Sequence, residues 1–234
     1  MKFPKIKFKK PGKKTLFAAA AVALVIAFVV IGVSSCNRAS YYQLVLDNLS
    51  EARFYLKQDE SEGLKVQFYS GMREEPYQTN GISEKTTAFG LVNIEPKDKS
   101  LDGLLTLDGT LKVGEELITV KLEKNPYGRN FACDIARLVD AKSAMSLTLT
   151  TGEETIVFNL KDCMPEGAIT WEEALRTATD HHTGDIKKAG KFECYVKIIS
   201  DPVKGSDAYW YIQFVTQKGK TFFCVVDSGG KVIS

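Results

Sequence analysis

The sequence predicts one N-terminal transmembrane helix, an all-β, sandwich-like domain and a small α+β C-terminal domain. Three observations carry this. Leu16–Val33 is an uninterrupted apolar run. Between residues 52 and 160, short runs alternate apolar and polar side chains, the period of a strand with one buried face. After Asp162–Gly167 the apolar spacing turns helical, and three more strand-like runs follow.

Residues 1–14 (MKFPKIKFKKPGKK) carry seven lysines and no acid. Lysines beside the first hydrophobic segment hold that end in the cytoplasm, so this basic tail is expected inside. Phe3, Ile6 and Phe8 alternate with lysines and suit an anionic leaflet surface, although a topology signal alone accounts for the charge. As a helix, Leu16–Val33 would span about 27 Å, close to a bilayer's hydrocarbon thickness. The run is longer than the apolar region of about 7–15 residues in a cleaved signal. No A-x-A site follows it. Residues 15–35 are therefore read as an uncleaved single-pass signal anchor in a cell membrane. As an alternative, Val33-Ser34-Ser35-Cys36 resembles a relaxed bacterial lipobox, which would make this a lipoprotein anchored at Cys36. Either anchor leaves the rest extracytoplasmic.

All 29 acids and 24 of the 31 Lys/Arg lie beyond the apolar run, so this outer part is net −5 and nucleic acid is not an expected partner. It also holds Cys133, Cys163, Cys194 and Cys224, an even number that permits disulfides in three connectivities. None of them forms a C-x-x-C motif. Cys194 and Cys224 alternate with apolar residues, which fits buried free thiols equally well.

Residues 40–163 are read as the β-rich domain. Tyr41–Leu49 is taken as an entering strand. Further strands are expected at 52–57, 64–71, 86–95, 104–109, 116–124, 145–151 and 154–160, while 131–139 fits a strand or a short helix. Seven or so short strands suggest a sandwich or an open barrel. Between two of them lies Gly71-Met72-Arg73-Glu74-Glu75-Pro76-Tyr77. Arg73 and Tyr77 are candidate protein-contact residues there, because loops carry binding residues. Turn chemistry at Pro76 and Asn80-Gly81 explains most of the same string.

Residues 166–234 are read as a second domain. Thr170 and Glu173 form a T-x-x-E capping box opening a helix from Trp171 to about His182. Trp171, Ala174, Leu175 and Ala178 share its apolar face, and Gly184 is the expected stop. Strands follow at 191–199, 208–216 and 221–227. Tyr195, Tyr209, Tyr211 and Phe223 fall on the side away from Trp210 and Cys194, and aromatics of this kind are enriched at interface hot spots. ITWEEALRTA, WYIQFVTQKGKTFFCVV and VDSGGKVI together resemble a PepSY domain over Ile169–Ile233. That resemblance implies a bacterial extracytoplasmic module, often membrane-tethered, that inhibits or regulates a peptidase. It carries over no catalytic residues.

His181 and His182 are adjacent, so on a helix they point about 100° apart and do not converge on one metal. Neither a nucleophile elbow, an H-E-x-x-H motif, a P-loop nor a dinucleotide fingerprint is present. Catalytic, metal and cofactor residues are therefore expected to be absent. The expected activity is binding or regulation through contacts with a protein of the cell envelope. The alternative is an envelope hydrolase using carboxylates of the β-rich domain.

Overall fold

Alternating side chains become strands along most of the outer part. They are β1 (Leu49–Ser61), β2 (Leu64–Glu74), β3 (Thr86–Pro96), β4 (Thr106–Val113), β5 (Glu116–Lys124), β6 (Phe131–Ile135), β7 (Met145–Thr151) and β8 (Glu154–Asp162). A short helix, α1 (40–46), precedes them, and after them come α2 (Trp171–His181), α3 (Thr183–Ala189), β9 (Phe192–Ser200), β10 (Ala208–Thr216) and β11 (Thr221–Val226). The structure, a computed structural model, describes residues 40–99, 101–151, 154–201 and 208–234. The expected tail at 1–14, the span at 15–35 and Cys36 lie outside them. Among the described residues no helix is long and apolar enough to cross a membrane.

The strand order is β11-β10-β9-β1-β2-β3-β6-β5-β4-β7-β8, and β8 returns to pair with β1. Strands β1 to β8 thus close into an eight-stranded barrel, which corrects the expected sandwich. Alternation buries one face of every strand in both architectures. What separates them is whether the first and last strands meet. Here they do, through Lys57↔Asp162 and Gln58↔Lys161. A barrel of eight strands has an interior just wide enough for side chains to fill. Phe68, Phe131, Phe158, Leu111, Leu122, Leu147 and Leu149 fill this one, each fully buried.

The C-terminal strands are not a separate sheet. β9 lies parallel to β1, with Leu49↔Cys194, Glu51↔Tyr195 and Ala52↔Val196, so β9–β11 extend the barrel sheet. A self-contained PepSY-type helix-on-sheet unit is therefore corrected along with the sandwich. Residues 42–234 form one compact unit, and the boundary expected at 163–166 falls within it, in the β8–α2 connection.

Residues 40–46, expected as a strand, are helical (α1). Polar pairs at helical spacing support that turn: Gln43 donates to the Asp47 carboxylate at 2.8 Å and Asn48 to the Leu44 carbonyl at 2.7 Å. Val45 on its inner side is fully buried. The capping box of α2 forms as its spacing requires, with Glu173 N–H donating to Thr170 Oγ1 and Thr170 N–H to the Glu173 carboxylate. Gly184 does not stop the helix but lies inside α3. The break comes at His182, and Thr183 donates its hydroxyl back to the Thr179 carbonyl at 2.9 Å.

Ala174, Leu175 and Ala178 of α2 are fully buried, and Cys194, Ile212, Phe214 and Cys224 of the sheet form the second core. All four described cysteines are free thiols. Burial pushes Cys224 up to about 11, Cys163 up to about 12, and Cys194 well above its ordinary value.

Candidate functional site

β1 changes partner along one edge, and a concave feature opens where it does. Its ladder with β9 ends at Ala52, and its ladder with β8 begins at Lys57. Opposite β2, the register slips between Arg53 and Tyr55. Gly71 faces this bulge so closely that an added Cβ would lie 2.0 Å from the Ala52 carbonyl oxygen. Beyond Val196, β9 leaves β1 and its end lies over β2, where the Ser200 hydroxyl accepts from Lys65 Nζ at 3.4 Å.

Where β8 and β9 part, a cleft of about 1040 Å³ opens, lined by Phe54, Tyr55, Leu56, Met164, Ile198 and Glu166 among others. A second hollow of about 380 Å³ shares Phe54, Tyr55 and Met164 with it and adds Trp171 and Trp210. The Phe54 ring stacks on Trp171 with centroids 5.2 Å apart. Trp210 donates its indole N–H to the Ile169 carbonyl at 3.3 Å. Charged groups at the cleft are Lys142, Asp162 and Glu166. Asp162 is bound to Lys57 at 2.9 Å.

On the face of β9 away from α2, the β2–β3 loop, residues 75–85, acts as a cover. The fully buried Glu74 carboxylate ties its base together by accepting from Glu84 N–H at 3.0 Å and Gln78 N–H at 3.4 Å. Tyr195, 2 % exposed, donates its hydroxyl to the Gln78 carbonyl and to Thr79 Oγ1, at 3.2 and 3.3 Å. At the loop's far end Gly81 holds φ +75°, and an added Cβ would come within 2.2 Å of Gln217 N.

Beneath the loop sits a charged cluster. Glu51, 1 % exposed, accepts from Arg53 at 2.6 Å, from Lys197 at 3.1 Å and from the Tyr77 hydroxyl at 3.1 Å. Burial alone would raise its carboxyl, but Arg53 and Lys197 outweigh that and hold it below the usual carboxylate range. Burial, then the adjacent Glu51 carboxylate, pushes the Tyr77 phenol up, and burial pushes Tyr195 up.

The expected contact residues are thus distributed unequally. Tyr77 and Tyr195 meet edge to face at 6.1 Å, inside this covered cluster. Arg73 lies over the Phe89 ring and pairs with Asp134 at 3.2 Å. Tyr209 donates to the Asp201 carboxylate at 3.2 Å. Tyr211 and Phe223 pair at 5.4 Å, with Phe223 about half exposed. The edge of β11 next to them is partly occupied. Val225 bonds the tail at Ile233 and Ser234, and His182 Nε2 donates to the Phe223 carbonyl at 3.1 Å.

Sequence reasoning missed Phe54, Met164 and Glu166, the residues of the fork. Phe54 reads as one more member of an alternating strand, and only its bulge opposite Gly71 turns it toward Trp171. Gly71 inside a strand pattern was the available signal, because such a glycine marks a bulge or a close backbone approach. No group of three or more His, Cys, Asp or Glu side chains that could hold a metal occurs among the described residues. No protein-family model, curated protein or solved structure matches the chain.

Proposed function

We propose that this chain is a binding module held at the outer face of a cell membrane by its N-terminal apolar segment, and that the cleft at the β1 fork receives an extended segment of an envelope protein. The carrying observation is the interrupted edge of β1. Between Ala52 and Lys57 the only backbone partner on this edge among the described residues is Cys163, whose N–H donates to the Leu56 carbonyl at 3.0 Å, and the stretch before it opens into the aromatic-lined cleft. An extended peptide satisfies such an edge through its backbone while pockets beside it select alternate side chains. Phe54, Trp171 and Trp210 supply apolar walls of the kind that form binding hot spots. The filled barrel interior leaves the binding role to the outside of the sheet. An envelope peptidase is one partner class that fits a module of this kind, restrained or presented through its own strand.

Site-specific photocrosslinking in intact cells tests the reading. A photoreactive residue at Glu166 or Lys142, both at the cleft, should capture the same partner. One at Leu117, exposed on β5, should not. Equal capture from Leu117, or none from the cleft positions, rejects the assignment.

A further inference from the structure

We propose that Glu193 anchors a small monovalent cation beneath the β2–β3 loop. Glu193 is fully buried, and neither carboxylate oxygen has a hydrogen-bond partner of good geometry: its charge acts on the Tyr195 phenol, but that hydroxyl is directed to Gln78 and Thr79. The cation that shares its face of β9, Lys197, is committed to Glu51 and to the Tyr77 hydroxyl. Across the ladder Glu193 meets Val215, which offers no donor from its side chain. Buried charges in proteins are paired or coordinate a metal, because an isolated one forfeits its hydration.

The neighbourhood is made of oxygen. Tyr195, two residues along on the same face, brings its hydroxyl, and the loop above brings the Gln78 carbonyl and the Thr79 hydroxyl to within 3.2 and 3.3 Å of that phenol. Oxygen donors without sulfur or imidazole suit a hard cation. A single carboxylate balances a single charge. A divalent ion would leave a surplus charge in a buried place, which is costly. The roof is seated closely, with Gly81 docked on Thr216 and Gln217 and Glu74 clamping the base, so an ion held here would be enclosed. Sodium is the ion of matching charge and hardness. This site is independent of the cleft at the fork.

The test is thermal unfolding of the full chain in detergent micelles, in sodium chloride and in choline chloride at equal ionic strength. Sodium should raise the wild-type midpoint by about 3 °C or more, the size expected when a ligand binds only the folded state well above its dissociation constant. Glu193→Gln should melt at the same temperature in both salts. Equal wild-type midpoints overturn the proposal, since water or a proton then satisfies Glu193. Sodium dependence surviving in Glu193→Gln overturns it as well. Should that variant fail to fold, Thr79→Val on the loop should at least halve the sodium effect, and an unchanged effect rejects the site. A calcium response exceeding that of sodium rejects the single-charge assignment.

Discussion

Lys57 and Asp162 stand opposite each other on the rung that closes the barrel, with Lys57 Nζ 2.9 Å from Asp162 Oδ2 and the lysine only 4 % exposed. The β1–β8 ladder has two register pairs, so this ion pair is a large part of the seam. Asp162 is more than half exposed, which lets solvent screen it. Asp162→Asn should therefore cost about 1–2 kcal/mol in urea unfolding, below the figure for a fully buried pair. Lys57→Met, which removes the buried charge together with its need for a partner, should cost less. An unchanged midpoint in Asp162→Asn would mean that the seam is held without the pair.

At the bulge, Gly71→Ala places a methyl group against the backbone of Ala52 and Arg53, which cannot swing aside as a side chain can. A loss of about 1–3 kcal/mol is expected, the usual range for overpacking. Crosslinking from the cleft should fall with it, because the same bulge aims Phe54. A neutral substitution would show that β1 runs straight in solution.

Leu175 is fully buried between α2 and the sheet. Leu175→Ala should cost about 2–5 kcal/mol, lost transfer energy and residual cavity together. A change below about 0.5 kcal/mol would place this face of α2 in solvent.

Glu51 makes stability depend on pH. Its carboxyl titrates lower in the folded chain than when unfolded, because Arg53 and Lys197 outweigh its burial. The stabilisation is complete above the ordinary carboxylate pKa and is lost as pH falls through the lowered folded value. Glu51→Gln should flatten the acid side of the stability curve. A variant as acid-labile as the wild type would place the responsible group elsewhere.

Calorimetry on the full chain should give a single transition, since β1 belongs to both cores. Two separated transitions would show that the barrel and the helix-covered sheet open independently, with the divide near residues 163–166.

Much of the local structure was legible from spacing. The runs at 64–71, 86–95, 116–124 and 208–216 are strands, because period-2 alternation is a direct imprint of one buried face. Thr170 and Glu173 announce α2 by chemistry that acts within one turn. Closure was not legible, because Lys57 and Asp162 are 105 residues apart and nothing local marks them as partners. Nor was the shared role of β1. Its two halves carry the same alternation, and only the change from β9 to β8 distinguishes them. Tyr195 and Tyr77 read in sequence as aromatics on a strand face and in a loop. The cover that brings them together depends on Glu74, whose buried carboxylate reads in sequence as one more surface acid.

The double membership of β1 also sets the order in which the molecule can assemble. β1 is synthesised before every other strand, yet both partners on its second edge arrive late, β8 near residue 154 and β9 near residue 192. A nascent chain halted before β8 exposes an open, curling sheet with both ends unpaired. One halted between β8 and β9 has a shut barrel but a bare half-strand at Leu49–Ala52. Contacts this distant in sequence make folding slow and leave strand edges open to other chains meanwhile. During synthesis, then, the vulnerable element is the strand made earliest, and its protection comes from those made last.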